Sequence, residues 1–124
     1  MAAPVTAKRT GLQISQQHQD RQMLLVAEGK LTVTTISQME QAVSSALRSG
    51  ASSVVLDLSG ICDADASGIG LLVKMYDQAF HRGVDLRFVV PPGRLAELIE
   101  LARLGHILPL FPDQRSALTQ SPPV

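Results

Sequence analysis

Asp63, Asp65 and Ser67 stand at alternate positions just ahead of Gly68-Ile-Gly70 and a long amphipathic run. A carboxylate or hydroxyl placed where a loop becomes a helix can do two things. It can cap the helix, with Asp65 or Ser67 accepting a hydrogen bond from one of the orphan amides of the first turn. Ser67 can also be phosphorylated, because a phosphate there would meet free backbone amides and the positive end of the helix dipole. The two roles are compatible, and residue type alone does not choose between them.

Other chemistries are poorly served. Asp63 and Asp65 in one loop could approach a hard cation, but the sequence adds no further oxygen ligands beside them. His18, His81 and His106 are scattered at spacings that suggest no metal site. Gly68 and Gly70 start a dinucleotide fingerprint, but its third glycine is replaced by Val73, so no nucleotide cofactor is expected. Ser67 lacks the flanking glycines of a hydrolase elbow. Lone Cys62 has no basic sequence neighbour to activate its thiol and reads as a small buried or half-buried residue. No nucleophile, base and orienting group can be assembled, so catalytic residues, cofactor and metal are all expected to be none.

Composition narrows the partners. A chain of 124 residues, 45% hydrophobic and 18% charged, is sized and balanced for one self-folding domain. Eleven basic residues match eleven acidic ones, leaving no basic field for nucleic acid. One cysteine suits a reducing compartment. No apolar h-region follows Lys8 and Arg9 and no run approaches spanning length, so no membrane insertion and a cytoplasmic location are expected.

The elements that must position Ser67 follow from periodicity. Leu12, Ile14 and Met23–Val26 read as two extended segments of a hairpin separated by polar Gln16–Gln22. Thr35 and Gln38 suggest a capping box, after which Ile36, Met39, Val43, Ala46 and Leu47 recur at helical spacing until Gly50. Ser53–Leu58 is a central strand, broken by Ser59 and Gly60, with Ile61–Ala66 as a short loop. A second helix starts within a residue or two of Ser67, which is expected to be exposed, and carries Ile69, Leu72, Val73, Tyr76, Ala79 and Phe80 on one face until Gly83. Tyr76, Phe80 and Phe88 read as core aromatics. Leu86–Val90 is a strand, Leu95 to Ala102 a helix, Ile107–Phe111 a short edge strand around Pro109, and Asp113 a cap for a last turn or two. The fold class is α/β: a mixed, mostly parallel sheet with an antiparallel N-terminal pair and about four helices. The domain spans residues 12–118, between flexible tails at 1–11 and 119–124.

Val54-Val-Leu-Asp-Leu-Ser-Gly60 followed by Asp65-Ala-Ser-Gly-Ile-Gly70 resembles STAS domains, named for sulphate transporters and anti-sigma factor antagonists. Gly29 after the second strand, the Val89-Val-Pro-Pro break and the closing Leu-Gly-His-Ile-Leu-Pro-Leu-Phe stretch extend the resemblance over about Leu12 to Leu118. The resemblance implies an anti-sigma factor antagonist or related partner-switching regulator. Its serine before the motif glycine, here Ser67, would be phosphorylated by an anti-sigma serine kinase and restored by a PP2C-type phosphatase. The unmodified form would bind the kinase through Asp65, Ser67, Gly68, Ile69 and Gly70. Ile69, apolar between two glycines, is expected at the docking surface. Antagonists commonly read Gly-Glu-Leu-Asp where this chain has Gly29-Lys-Leu-Thr32. The alternative implied by the same resemblance is a cytosolic STAS subunit of a lipid-transporting ABC complex.

Overall fold

The chain opens with a hairpin. β1 (Leu12–Gln19) and β2 (Gln22–Leu31) pair antiparallel in unbroken register from Leu12 opposite Gly29 to Gln19 opposite Gln22. The polar stretch expected to separate them is therefore mostly strand, because the second half of β1, Ser15 to Gln19, is exposed on both faces and tolerates Gln and Ser there. Only Asp20 and Arg21 are left for the turn, and Asp20 adopts φ 54°, a left-handed conformation that aspartate tolerates. The computed structural model describes residues 11–119. Of the two expected tails, 1–11 and 119–124, all but Gly11 and Thr119 lie outside the described residues.

α1 (Ile36–Leu47) buries Met39, Val43, Ala46 and Leu47, the face read from its period. The expected capping box does not form. Thr35 is 6% exposed, and its hydroxyl turns into the preceding loop, accepting from the Thr32 amide at 3.0 Å and donating to the Lys30 carbonyl at 2.8 Å. Gln38 instead donates to the Leu12 carbonyl at 2.8 Å. Tertiary partners outcompete the local motif.

β3 (Ser53–Ala64) runs parallel to β2 and is twice the length expected for it. Ser59 and Gly60 do not end it. A Cβ on Gly60 would lie 2.7 Å from Glu28 Cγ and 3.0 Å from the Ala27 carbonyl oxygen, so the glycine permits close strand approach beside a register shift. α2 (Ala66–Arg82) follows and is closed by Gly83 at φ 71°. Then come β4 (Asp85–Val89), α3 (Arg94–Leu101), β5 (Leu110–Phe111) and α4 (Gln114–Thr119). The sheet order is β1-β2-β3-β4-β5, parallel in every pair after the first.

Helices α1, α2 and α3 cover one face of the sheet, where Leu25, Leu56, Leu72, Met75, Phe88 and Ile99 share one core. Short α4 covers part of the other face over Val55 and Val89. This two-sided burial explains the almost wholly apolar run of β3. Phe88 is fully buried and Tyr76 packs against the core, but Phe80 is 71% exposed. Met75, not Phe80, completes the buried face of α2 with Leu72 and Ala79. Cys62 is exposed rather than buried, because it falls on the solvent side of the last stretch of β3.

Two ionic residues lie buried on the α4 side. Asp57, 3% exposed, accepts from the Ser59 amide at 2.8 Å, from the Ser59 hydroxyl at 2.6 Å and from the Gln114 side chain of α4. Arg87, 4% exposed, pairs with Asp85 at 2.9 Å, donates to the Ala117 carbonyl at 2.7 Å and lies 5.4 Å from the centre of the Phe111 ring. Polar bonds thus seat this last helix together with the packing of Ala117 on Val55 and Val89.

Candidate functional site

Parallel β2 and β3 end side by side, with Leu31 opposite Ala64. The loops that leave those carboxyl ends meet there, the usual location of sites in α/β sheets. The Asp65 amide donates to the Leu31 carbonyl at 3.2 Å, fixing the start of α2 against the end of β2. Asp65 is the N-cap: one carboxylate oxygen accepts from the Gly68 amide and the other from the Val33 amide, each at 3.0 Å. These amides, Gly68 first, hold the Asp65 carboxyl below its ordinary range. One side chain thus joins the helix start to the loop between β2 and α1.

α2 begins at Ala66, so Ser67 sits in its first turn, as expected from the sequence. Ser67 is half-buried rather than fully exposed, flanked by exposed Ala66. Its hydroxyl has no hydrogen-bond partner among the described residues. The amides expected to be free for a phosphate are not all free, since Asp65 already occupies those of Gly68 and Val33.

The glycines of the motif divide. A Cβ on Gly68 would fall 2.2 Å from the Leu31 carbonyl oxygen, so only glycine lets α2 approach the end of β2 this closely. Gly70 faces open space and is exposed. Ile69 is 8% exposed and belongs to the main core, which corrects the expectation that it presents itself for docking: at helical spacing it falls on the face shared with Leu72. The accessible positions around Ser67 are Ala66 and Gly70. Val33, 63% exposed, is joined to them through the hydrogen bond that its backbone amide donates to the Asp65 carboxylate. Sequence reading missed Val33, whose one signal is an apolar residue inside the threonine run Thr32–Thr35. Thr32 and Thr34, flanking it, share a hydrogen bond between their hydroxyls at 3.0 Å. Among the described residues, no group of His, Cys, Asp or Glu is arranged to hold a metal, and no helix is long and apolar enough to cross a membrane.

The family model described as "Mlab, STAS domain" matches residues 14–110 of this chain, from β1 through the first residue of β5. The chain belongs to the STAS domain family. Its relatives include the anti-sigma-F factor antagonist RsfA of Mycobacterium tuberculosis, 24% identical over 116 residues that cover 92% of this chain and 91% of RsfA. Among solved structures, an anti-sigma factor antagonist from Mycobacterium paratuberculosis superposes with a TM-score of 0.80 at 21% identity, covering 87% of this chain and 92% of that one. The Bacillus cell fate determinant SpoIIAA in its phosphorylated form gives a TM-score of 0.64 at 14% identity, covering 85% and 95%. At these identities the superpositions establish a shared STAS fold, a mixed five-stranded sheet with four helices in this chain.

Proposed function

We propose that this STAS domain is an anti-sigma factor antagonist that works as a partner switch. Unmodified, it docks on an anti-sigma serine kinase in the cytoplasm. Phosphorylated on Ser67, it lets go, and a PP2C-type phosphatase resets it. It regulates by binding and performs no catalysis of its own. The observation that carries this reading is the half-buried Ser67 hydroxyl on the first turn of α2, unpartnered among the described residues, in a chain whose relative RsfA is an anti-sigma-F factor antagonist.

The physics of the switch follows from what surrounds that hydroxyl. A phosphate adds about two negative charges and three acceptor oxygens. Because Asp65 already holds the Gly68 amide, the phosphate meets a carboxylate as well as the helix N-terminus. Inside the domain these effects oppose each other. At a docked interface they do not: a partner lying over Ala66, Gly70 and Val33 would have to strip water from a dianion beside Asp65. Asp65, Ser67 and Gly70 therefore belong to the proposed docking surface, while Gly68 and Ile69 support it from below.

A second reading is a cytosolic STAS subunit of a lipid-transporting ABC complex, kept because the matching family model bears the name Mlab rather than that of an antagonist. Incubation with an anti-sigma serine kinase and ATP, followed by mass mapping, tests the first reading. One phosphate on Ser67, absent from Ser67→Ala, is the expected result. No phosphate, together with stable co-purification with a transporter ATPase, would favour the second.

A further inference from the structure

The C-terminal ends of α1 and α2 border an open groove of about 470 Å³, sized for a small molecule. Arg48, the C-cap of α1, and Arg82, the last residue of α2, line it together with Asp77, Gln78 and His81. The fold leaves three features here unused. Neither arginine has a carboxylate partner among the described residues, and the negative end of its own helix offsets only about half of each charge. The Gln78 amide makes no hydrogen bond among the described residues, and its Oε1 is the one buried side-chain polar atom among them without a partner. A shielded acceptor without a donor is costly, and turning the amide over brings that oxygen to the groove with no bond lost. Beside His81, Phe80 is 71% exposed, its ring edge-on to the imidazole at 5.7 Å. The groove is separate from the Ser67 site: Ser67 lies in the first turn of α2 and His81 in the last, about 20 Å along the helix. Gly11 lies at the Ser67 end of the sheet, where its carbonyl accepts from the Lys30 amide at 2.9 Å, and α4 covers the opposite face, so neither end of the described chain lies at the groove.

We propose that this groove binds a sugar phosphate. Two guanidiniums suit one phosphate, because each can donate a pair of parallel N–H bonds to its oxygens. The groups beside them are acceptors. His81 Nδ1 lies 2.8 Å from the Asp77 backbone carbonyl, which can only accept, so in the neutral ring Nδ1 carries the proton and Nε2 is left to accept. The Asp77 carboxylate, His81 Nε2 and the turned Gln78 oxygen thus call for donors, and the hydroxyls of a sugar supply them on adjacent carbons. Phe80 at the rim adds an aromatic face for the sugar's C–H bonds. Phosphate alone would leave the three acceptors unmatched, and a neutral sugar would leave the two cations unmatched. A ligand that carries both groups answers every feature of the groove.

Calorimetric titration of the full chain with glucose 6-phosphate, ribose 5-phosphate, glucose and inorganic phosphate tests the groove, with amide NMR shifts followed in parallel. At least one sugar phosphate is expected to bind with a dissociation constant on the order of hundreds of micromolar, at least about tenfold tighter than glucose or inorganic phosphate. It should shift the amides of Arg48 and of residues 78–82 and leave that of Ser67 in place. Joint Arg48→Ala and Arg82→Ala substitution should abolish binding with thermal melting unchanged, since both side chains are exposed. Gln78→Leu should weaken the sugar phosphate about tenfold, leave inorganic phosphate unaffected and melt no lower than wild type, because the amide it removes bonds to nothing. No binding of either sugar phosphate at roughly 20 mM would overturn the proposal. So would inorganic phosphate binding as tightly as the sugar phosphates, or binding indifferent to loss of the arginines. Loss of kinase affinity in the arginine variant, without any sugar phosphate binding to wild type, would overturn it as well and give this face to a protein.

Discussion

Asp57 and Asp65 are carried by the same stretch of chain, one inside β3 and one just past its end, and both keep their carboxylates fully engaged in hydrogen bonds. The partners differ. Asp57 is 3% exposed and bonds to Ser59 and Gln114, so it fastens α4 to the sheet. Asp65 lies nearer solvent and bonds to two backbone amides, so it joins the start of α2 to the loop that exposes Val33. Removing the first takes away a buried acceptor of charge-assisted hydrogen bonds, whereas removing the second frees a surface that can rearrange. A carboxylate's role is thus set by what is placed over it: the covered one ties a helix to the sheet, and the one nearer solvent caps the helix that carries Ser67.

The largest effect expected cuts across that division. Gly68→Ala lies within the Ser67 motif, yet its Cβ would drive into the Leu31 carbonyl, so we expect a loss of about 3 kcal/mol in denaturant melts. A variant as stable as wild type would mean that α2 can slide away from β2. Next, Asp57→Ala should cost about 2 kcal/mol by removing the buried, charged acceptor that ties Ser59 and Gln114 to the sheet, while phosphorylation at Ser67 proceeds unchanged. Altered phosphorylation in that variant would couple the two regions and break the comparison.

Asp65→Ala should destabilise less than Asp57→Ala but weaken kinase binding by about tenfold, with faster hydrogen exchange at the Val33 amide as its signature. The same carboxylate gives a pH dependence of known sign. Its folded-state pKa lies below the ordinary value of 3.8, so its stabilisation is fully present above about pH 4 and is lost as pH falls through the depressed value. Acid melts of wild type should therefore converge on those of Asp65→Ala. The smallest effect belongs to Cys62, which is exposed: alkylation of the folded protein should go to completion and move stability by less than about 0.5 kcal/mol.

The order of strands and helices was legible because helical and strand periods in this chain are well separated by glycines such as Gly50 and Gly83. The start of α2 was legible for the same reason, with Asp65 or Ser67 read as its cap and Asp65 found in that place. Three features were hidden by long-range contacts. Gly60 reads locally as a breaker, but its lack of a side chain serves a neighbouring strand. Thr35 and Gln38 satisfy a local motif on paper and bond instead to the hairpin. Ile69 between two glycines reads as approachable, but one turn of helix rotates it into the core while Val33, distant in sequence, comes to the surface beside Asp65. Each depends on which element packs opposite, and spacing along the chain does not carry that.

The central claim is that a phosphate on Ser67 controls docking without unfolding the domain. Calorimetric titration of an anti-sigma serine kinase with unmodified and Ser67-phosphorylated protein, each checked by thermal melting, tests it most directly. The account predicts binding weaker by at least about a hundredfold, equivalent to about 2.7 kcal/mol, with melting little changed. Equal affinities for the two forms, or a loss of binding that tracks a collapse in melting temperature, would contradict it.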